Sequence, residues 1–210
     1  MRYLIFDTET TGLPLEEKDP FHYPDYWPRI VQIAWILCDE NACISEEHCL
    51  IVKPEGFTIP QKASQIHGIT TEVAIKEGIP IGEMLEIFSK AIEVTDIIVG
   101  HDIDFDRKVV TSEYARKKQN APIYGKEHHC TMKASTDLCK LPTLSNRRGY
   151  RQPTLAELQR YLFEEECAES HDTLTGVKAC SRCYFELLKR DCFSDEAMKL
   201  AAKKERRKRY

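Results

Sequence analysis

An apolar run beside the N-terminus stops abruptly on acid: Arg2-Tyr3-Leu4-Ile5-Phe6 leads straight into Asp7-Thr8-Glu9-Thr10-Thr11-Gly12. Five residues dominated by aromatic and aliphatic side chains, bounded by polar ones, predict a buried strand. Side chains two apart on a strand share a face, so Asp7 and Glu9 project together where the strand leaves the core. Two carboxylates held that close repel, and a hard divalent cation with oxygen ligands, Mg2+ or Mn2+, is the usual remedy. An acidic pair at a strand end is equally compatible with plain exposed surface, so the rest of the chain must decide.

Further strands are predicted at residues 29–39 and 48–54, with the polar stretch 39–47 as their hairpin. Residues 14–28 form a long connection rich in proline and aromatic residues, and connections of that length are often functional or flexible. Apolar residues recur at helical spacing from Ile81 to Glu93, a short buried strand follows at 96–101, and helix returns from Asp104 to Lys118. A strand near 128–131, a short helix before a loop at 140–153, and a helix from about Thr154 come next. The last helices run from about Asp172 to Arg190 and from Ser194 onward. Thr154 followed by Glu157 fits a capping box. Three strands and then alternating helices and strands predict an α/β domain, a mixed central sheet flanked by helices.

A chain of 210 residues that is 42% hydrophobic can build one compact core, and it has no run of about 18 apolar residues to cross a bilayer. No membrane partner is expected. The start lacks the basic and then apolar pattern of a secretory signal, which makes a cytoplasmic location the expectation. Nine cysteines in such a chain are expected as reduced thiols, and the Cys180–Cys183 pair, in a helical stretch without a second ligand pair, is expected to be structural. Residues 199–210 hold seven Lys/Arg against one Glu, whereas residues 1–198 hold 23 against 33 acidic residues. The expected organisation is a folded domain over 1–198 and a basic tail over 199–210, which reads either as a solvated, fraying helix or as an attractor of polyanions.

Two later clusters resemble the first in composition. A buried strand ends in His101-Asp102-Ile103-Asp104-Phe105-Asp106 as the chain turns into a helix, where acidic residues also serve simply to complement the helix dipole. Ser170-His171-Asp172 opens the last long helix, where Ser and Asp are ordinary caps.

Taken together, FDTETTG, VGHDIDFD and His171, with WPRIVQIAW, KPEGFTIP, IHGIT, HHCTMKAS and PTLAELQRYLF in order between them, resemble the DEDDh family of 3′-to-5′ exonucleases over nearly the whole chain. The resemblance implies a ribonuclease H-like fold, an exonuclease domain over 1–198, and two-metal hydrolysis of the phosphodiester at a 3′ end by two Mg2+ or Mn2+ ions. It assigns Asp7, Glu9 and Asp106 as metal ligands and His171 as the base that deprotonates water. The family's fourth carboxylate falls at Gly176, which has no side chain to offer. Loss of such a ligand is expected to cost at least the roughly 10–100-fold that losing an outer partner costs. A laboratory substitution, natural decay of the activity, and recruitment of another ligand, with Asp172 the nearest, all stay open.

The resemblance also places Thr10, Gly12, Leu13, His67 and Phe105 against the terminal nucleotides of a single-stranded DNA or RNA. Without it, the Thr10–Leu13 stretch reads as a turn, and His67 and Phe105 as packing. The acidic body gives little long-range pull on phosphate, so Arg147, Arg148, Arg151 or the tail would have to supply it. A DNA polymerase or a second copy of the chain are the further partners in view. The competing reading is a non-catalytic module that keeps the exonuclease shape to bind nucleic acid or a protein partner.

Overall fold

The computed structural model describes residues 1–143, 149–165 and 172–194. His171, Ser170, Arg147, Arg148, the chain after Ser194 and the basic tail therefore lie outside the described residues.

The first strand, predicted over residues 2–6, is β1 (Arg2–Thr10); it continues through the acidic stretch, where Asp7–Thr10 keep pairing with β2, and it is central. It pairs antiparallel with β2 (Ile30–Asp39) and parallel with β4 (Ile97–Gly100). An edge strand, β3 (Ile44–Ile51), pairs antiparallel with β2, and β5 (Glu127–Cys130) pairs parallel with β4, giving the order β3-β2-β1-β4-β5.

The period of two along β1 sorts its side chains into two cores. Leu4 and Phe6 join Trp35 and Ile98 under Met84, Leu85 and Phe88 of α3 (Ile81–Glu93) and Val109 and Val110 of α4 (Ile103–Arg116). Tyr3 and Ile5 point the other way, onto Val177, Cys180 and Tyr184 of α7 (Thr173–Lys189). Helices on both faces of a mixed sheet form the expected ribonuclease H-like architecture. Leu158 and Leu162 of α6 (Leu155–Phe163) pack beside α7 with Cys183 and Leu187. Both halves of the capping box are present: Thr154 Oγ1 accepts from the Glu157 amide at 3.2 Å, and Glu157 Oε2 accepts from the Thr154 amide at 2.9 Å. Cys180 and Cys183 are buried packing residues, neither in a disulfide.

The hairpin differs from the sequence expectation. β3 starts at Ile44 rather than His48, so the turn covers only residues 40–43, and Val52 leaves the strand to bridge Ile79. An edge strand has one neighbour and an open side, so Glu46 and Glu47 pair with Leu37 and Ile36 through the backbone without burying charge. Two short helices, α1 (Gln61–His67) and α2 (Thr71–Glu77), were not foreseen. Seven residues show too little periodicity, but the punctuation is legible: Gly68 closes α1 at φ 77°, and the Thr70 side chain caps α2. Between β5 and α6 lies α5 (Thr131–Cys139).

The connection at 14–28 is clamped. Arg116 donates to the carbonyls of Pro24 and Trp27, the buried Trp27 donates its indole N–H to Lys18, and the Leu15 amide reaches Tyr26 at 2.8 Å. Among the described residues no helix is long and apolar enough to cross a membrane.

Candidate active site

β1 runs further than β4. Its parallel partners end at Ile5–Val99, whereas the antiparallel pairing with β2 continues to Thr10. Beyond Ile5, the β4 side of β1 is therefore left without a strand neighbour, and backbone donors there need another acceptor.

Asp106 supplies it. The turn from β4 into α4 is tight, because a Cβ on Gly100 would stand 2.7 Å from Ile103 Cδ1 and 3.2 Å from the Phe6 carbonyl. That close approach brings the first turn of α4 against the end of β1. Asp106, 2% exposed, accepts at Oδ1 from the Thr8 hydroxyl at 2.6 Å and from the Thr8 amide at 3.2 Å.

Asp7 and Asp106 act on each other. Burial, then the Asp7 charge, pushes Asp106 well above the usual carboxylate range, against the pull of the Thr8 hydrogen bonds. Asp7 is pushed up to about 7 by burial first and the Glu9 charge second, opposed by the Thr8 amide. Asp7, Glu9 and Asp106 thus form one electrostatic neighbourhood of hard oxygen donors, as a divalent cation requires. Among the described residues no three His, Cys, Asp or Glu side chains already stand together as a preformed cage. The carboxylates fit a cation by their chemistry and mutual repulsion.

The three acids of the second cluster part company. Asp104 turns away to His128 at 3.3 Å and Lys133 at 2.6 Å, and the His128 hydrogen bond first, then Lys133, hold its carboxyl far below the ordinary range. Asp102, at φ 73°, forms the N-cap position of α4. Only Asp106 meets β1.

The start of α7 is tied to the same region: Thr173 Oγ1 donates to Gln32 Oε1 at 2.5 Å, and Gln32 stands opposite Glu9 in the β1–β2 register. Cys180 lies close enough to Asp7 to feel its charge, and Gly176 is one turn earlier on the same helix row. A Cβ at Gly176 would meet nothing within 4 Å, so packing does not demand glycine there. Asp172 is the exposed N-cap of α7, its Oδ2 accepting from the Thr175 amide at 3.1 Å and from the Thr175 hydroxyl.

The substrate candidates divide. Thr10 Oγ1 donates to the Gly12 carbonyl at 2.8 Å, Gly12 adopts φ 147°, and Leu13 is 83% exposed. His67 is buried, its Nδ1 accepts from the Ile69 amide at 3.2 Å, and its ring lies within reach of the Thr10 backbone. Phe105 is half-buried and tilted against Trp27, with ring centroids 6.4 Å apart. Sequence reasoning passed over Thr8, whose only signal was its place between two carboxylates on the opposite pleat face.

The sequence model for exonucleases of the RNase_T type matches residues 4–182. The chain belongs to this exonuclease family. It is 29% identical over 117 residues to the DNA polymerase III subunit epsilon of Treponema pallidum (strain Nichols), a match covering 56% of this chain and 48% of that protein. The structure resembles E. coli exonuclease I in complex with a dA16 oligonucleotide, with a TM-score of 0.67 and 20% identity over 90% of this chain and 41% of exonuclease I. The zinc-bound form of the E. coli exonuclease I–ssDNA complex gives a TM-score of 0.68, 20% identity, and coverage of 90% and 40%. This member of the exonuclease family thus spans about half of its epsilon relative and two fifths of exonuclease I.

Proposed function

We propose that this chain is built as a 3′-to-5′ exonuclease that removes nucleotides from the 3′ end of single-stranded DNA or RNA with two Mg2+ or Mn2+ ions, and that Gly176 leaves it impaired. The observation that carries this reading is the joining of Asp106 to the Asp7–Glu9 end of β1, its Oδ1 accepting from the hydroxyl and amide of Thr8, where burial and neighbouring charge raise the proton affinity of both Asp7 and Asp106. The oligonucleotide-bound and ssDNA-bound forms of exonuclease I, a protein of the same fold, support the choice of substrate.

In this reading Asp7, Glu9 and Asp106 hold the ions, which when bound clamp the scissile phosphate, activate water and stabilise the leaving oxygen. His171 takes the proton of the attacking water, a role suited to an imidazole. Thr10 and Gly12 let backbone approach the terminal nucleotide, and exposed Leu13 offers a stacking surface. With its Nδ1 accepting from the Ile69 amide, His67 carries its proton on Nε2, within reach of the Thr10 backbone beside the same place. With 33 acidic against 23 basic residues in 1–198, binding rests on these short contacts rather than on long-range attraction. The epsilon relative supports a polymerase as a partner; a second copy of the chain stands as the alternative.

Gly176 favours a second reading, a non-catalytic module that binds nucleic acid or a protein through the same shape. The test is release of mononucleotides from 5′-labelled single-stranded DNA with Mg2+, Mn2+ or EDTA, beside Gly176→Asp. The expected result is slow, cation-dependent release that rises at least 10-fold in the variant and stops on a 3′-blocked strand. Equal and robust rates would remove the impairment. Tight DNA binding with no release by either protein would favour the module.

A further inference from the structure

Thr8 is 7% exposed and stands on the strand face opposite Asp7 and Glu9, so it enters no metal-binding scheme of its own. Its two donors nonetheless converge on one atom, Asp106 Oδ1: the hydroxyl at 2.6 Å and the amide at 3.2 Å. The amide is available because β4 ends short of it, and the hydroxyl is available because the pleat turns Thr8 towards α4. Two donors on one oxygen fix the plane of the carboxylate and leave the second oxygen as its free acceptor.

We propose that Thr8 is a positioning residue that locks Asp106 by Oδ1 so that Oδ2 is the oxygen presented to a divalent cation. This rests on the reading of Asp106 as a metal ligand. Valine keeps the shape and the amide but lacks the hydroxyl, whereas serine keeps the hydroxyl. Calorimetric titration of Mn2+, with thymidine 5′-monophosphate present, is run on the chain, Thr8→Val, Thr8→Ser and Gly176→Asp, with circular dichroism checking that each is folded. Affinity is expected to fall roughly 10–100-fold in Thr8→Val and to stay within about 3-fold in Thr8→Ser, because hydroxyl geometry is retained. Mn2+ binding by the chain with unchanged affinity in Thr8→Val overturns the role of Thr8 alone. Equal losses in the valine and serine variants overturn it too, since the hydroxyl would then be irrelevant. Silence in both the chain and Gly176→Asp overturns the metal site and the role of Thr8 with it.

Discussion

Arg29 and Glu113 meet in the interior, Nε to Oε1 at 2.8 Å, where the chain enters β2 beside α4. Glu113 is 1% exposed, and the same oxygen also accepts from the Ile30 amide at 3.1 Å and faces Arg116 at 3.1 Å. Arg116 in turn grips the 14–28 connection, so one buried carboxylate joins the strand, the helix and the loop beside the site. Truncation would leave two guanidinium groups without their counter-charge. Glu113→Ala is therefore expected to lower unfolding free energy by about 3 kcal/mol or more, read from urea midpoints; a change below about 1 kcal/mol would show that water replaces the carboxylate.

The raised proton affinity of Asp106 has a consequence for stability with a definite sign. A carboxyl that holds its proton more tightly folded than unfolded makes the native state bind more protons, so stability falls as pH rises above about 4. Asp106→Asn removes that penalty while keeping an oxygen for Thr8. In EDTA at pH 8 the variant is expected to melt roughly 4 °C above the parent chain, with the gap closing towards pH 4. It should lose cation-dependent hydrolysis altogether. A lower melting point at pH 8 would count against the electrostatic account.

Asp104, two residues away, should behave in the opposite way. His128 and Lys133 hold its carboxyl below the ordinary range, so its contribution is present above about pH 4 and fades as acid protonates it. The partners are partly exposed, so Asp104→Asn is expected to cost about 1 kcal/mol near neutral pH. Nucleotide release by Asp104→Asn in the Gly176→Asp background should remain within a few-fold. A complete loss there would place Asp104 in the reaction.

The cap of α6 offers a local test. Arg151 and the Thr154 amide hold Glu157 at about 2, so its support is full above its unfolded pKa and drains away as pH falls from about 4.5 towards 2. Thr154→Ala should cost about 1 kcal/mol, and Arg151→Ala should have a smaller, salt-screened effect because the pair is solvated. Chemical denaturation at pH 7 and pH 3 measures both; an Arg151→Ala effect that grows at pH 3 would reverse the assignment.

Local order was largely legible from the chain. The termination of RYLIF on acid located β1, helical periodicity gave α3 its full extent, and Thr154 with Glu157 announced a cap that is present. Each depends on neighbours within a few residues, whose spacing the sequence displays directly. His171 falls outside the described residues, so its assignment still rests on motif alone.

What three-dimensional contact decided was which of several similar groups does what. Asp102, Asp104 and Asp106 look alike in sequence; one becomes a cap position, one an ion-pair partner, and one a buried acid beside Asp7, because only Asp106 faces the open flank of β1. The Thr8–Asp106 bond spans 98 positions and depends on β4 ending early and α4 starting close to Phe6. Periodicity reports which face a side chain occupies, whereas proton affinity and hydrogen bonding depend on what lies across from that face, and only the folded chain brings it there.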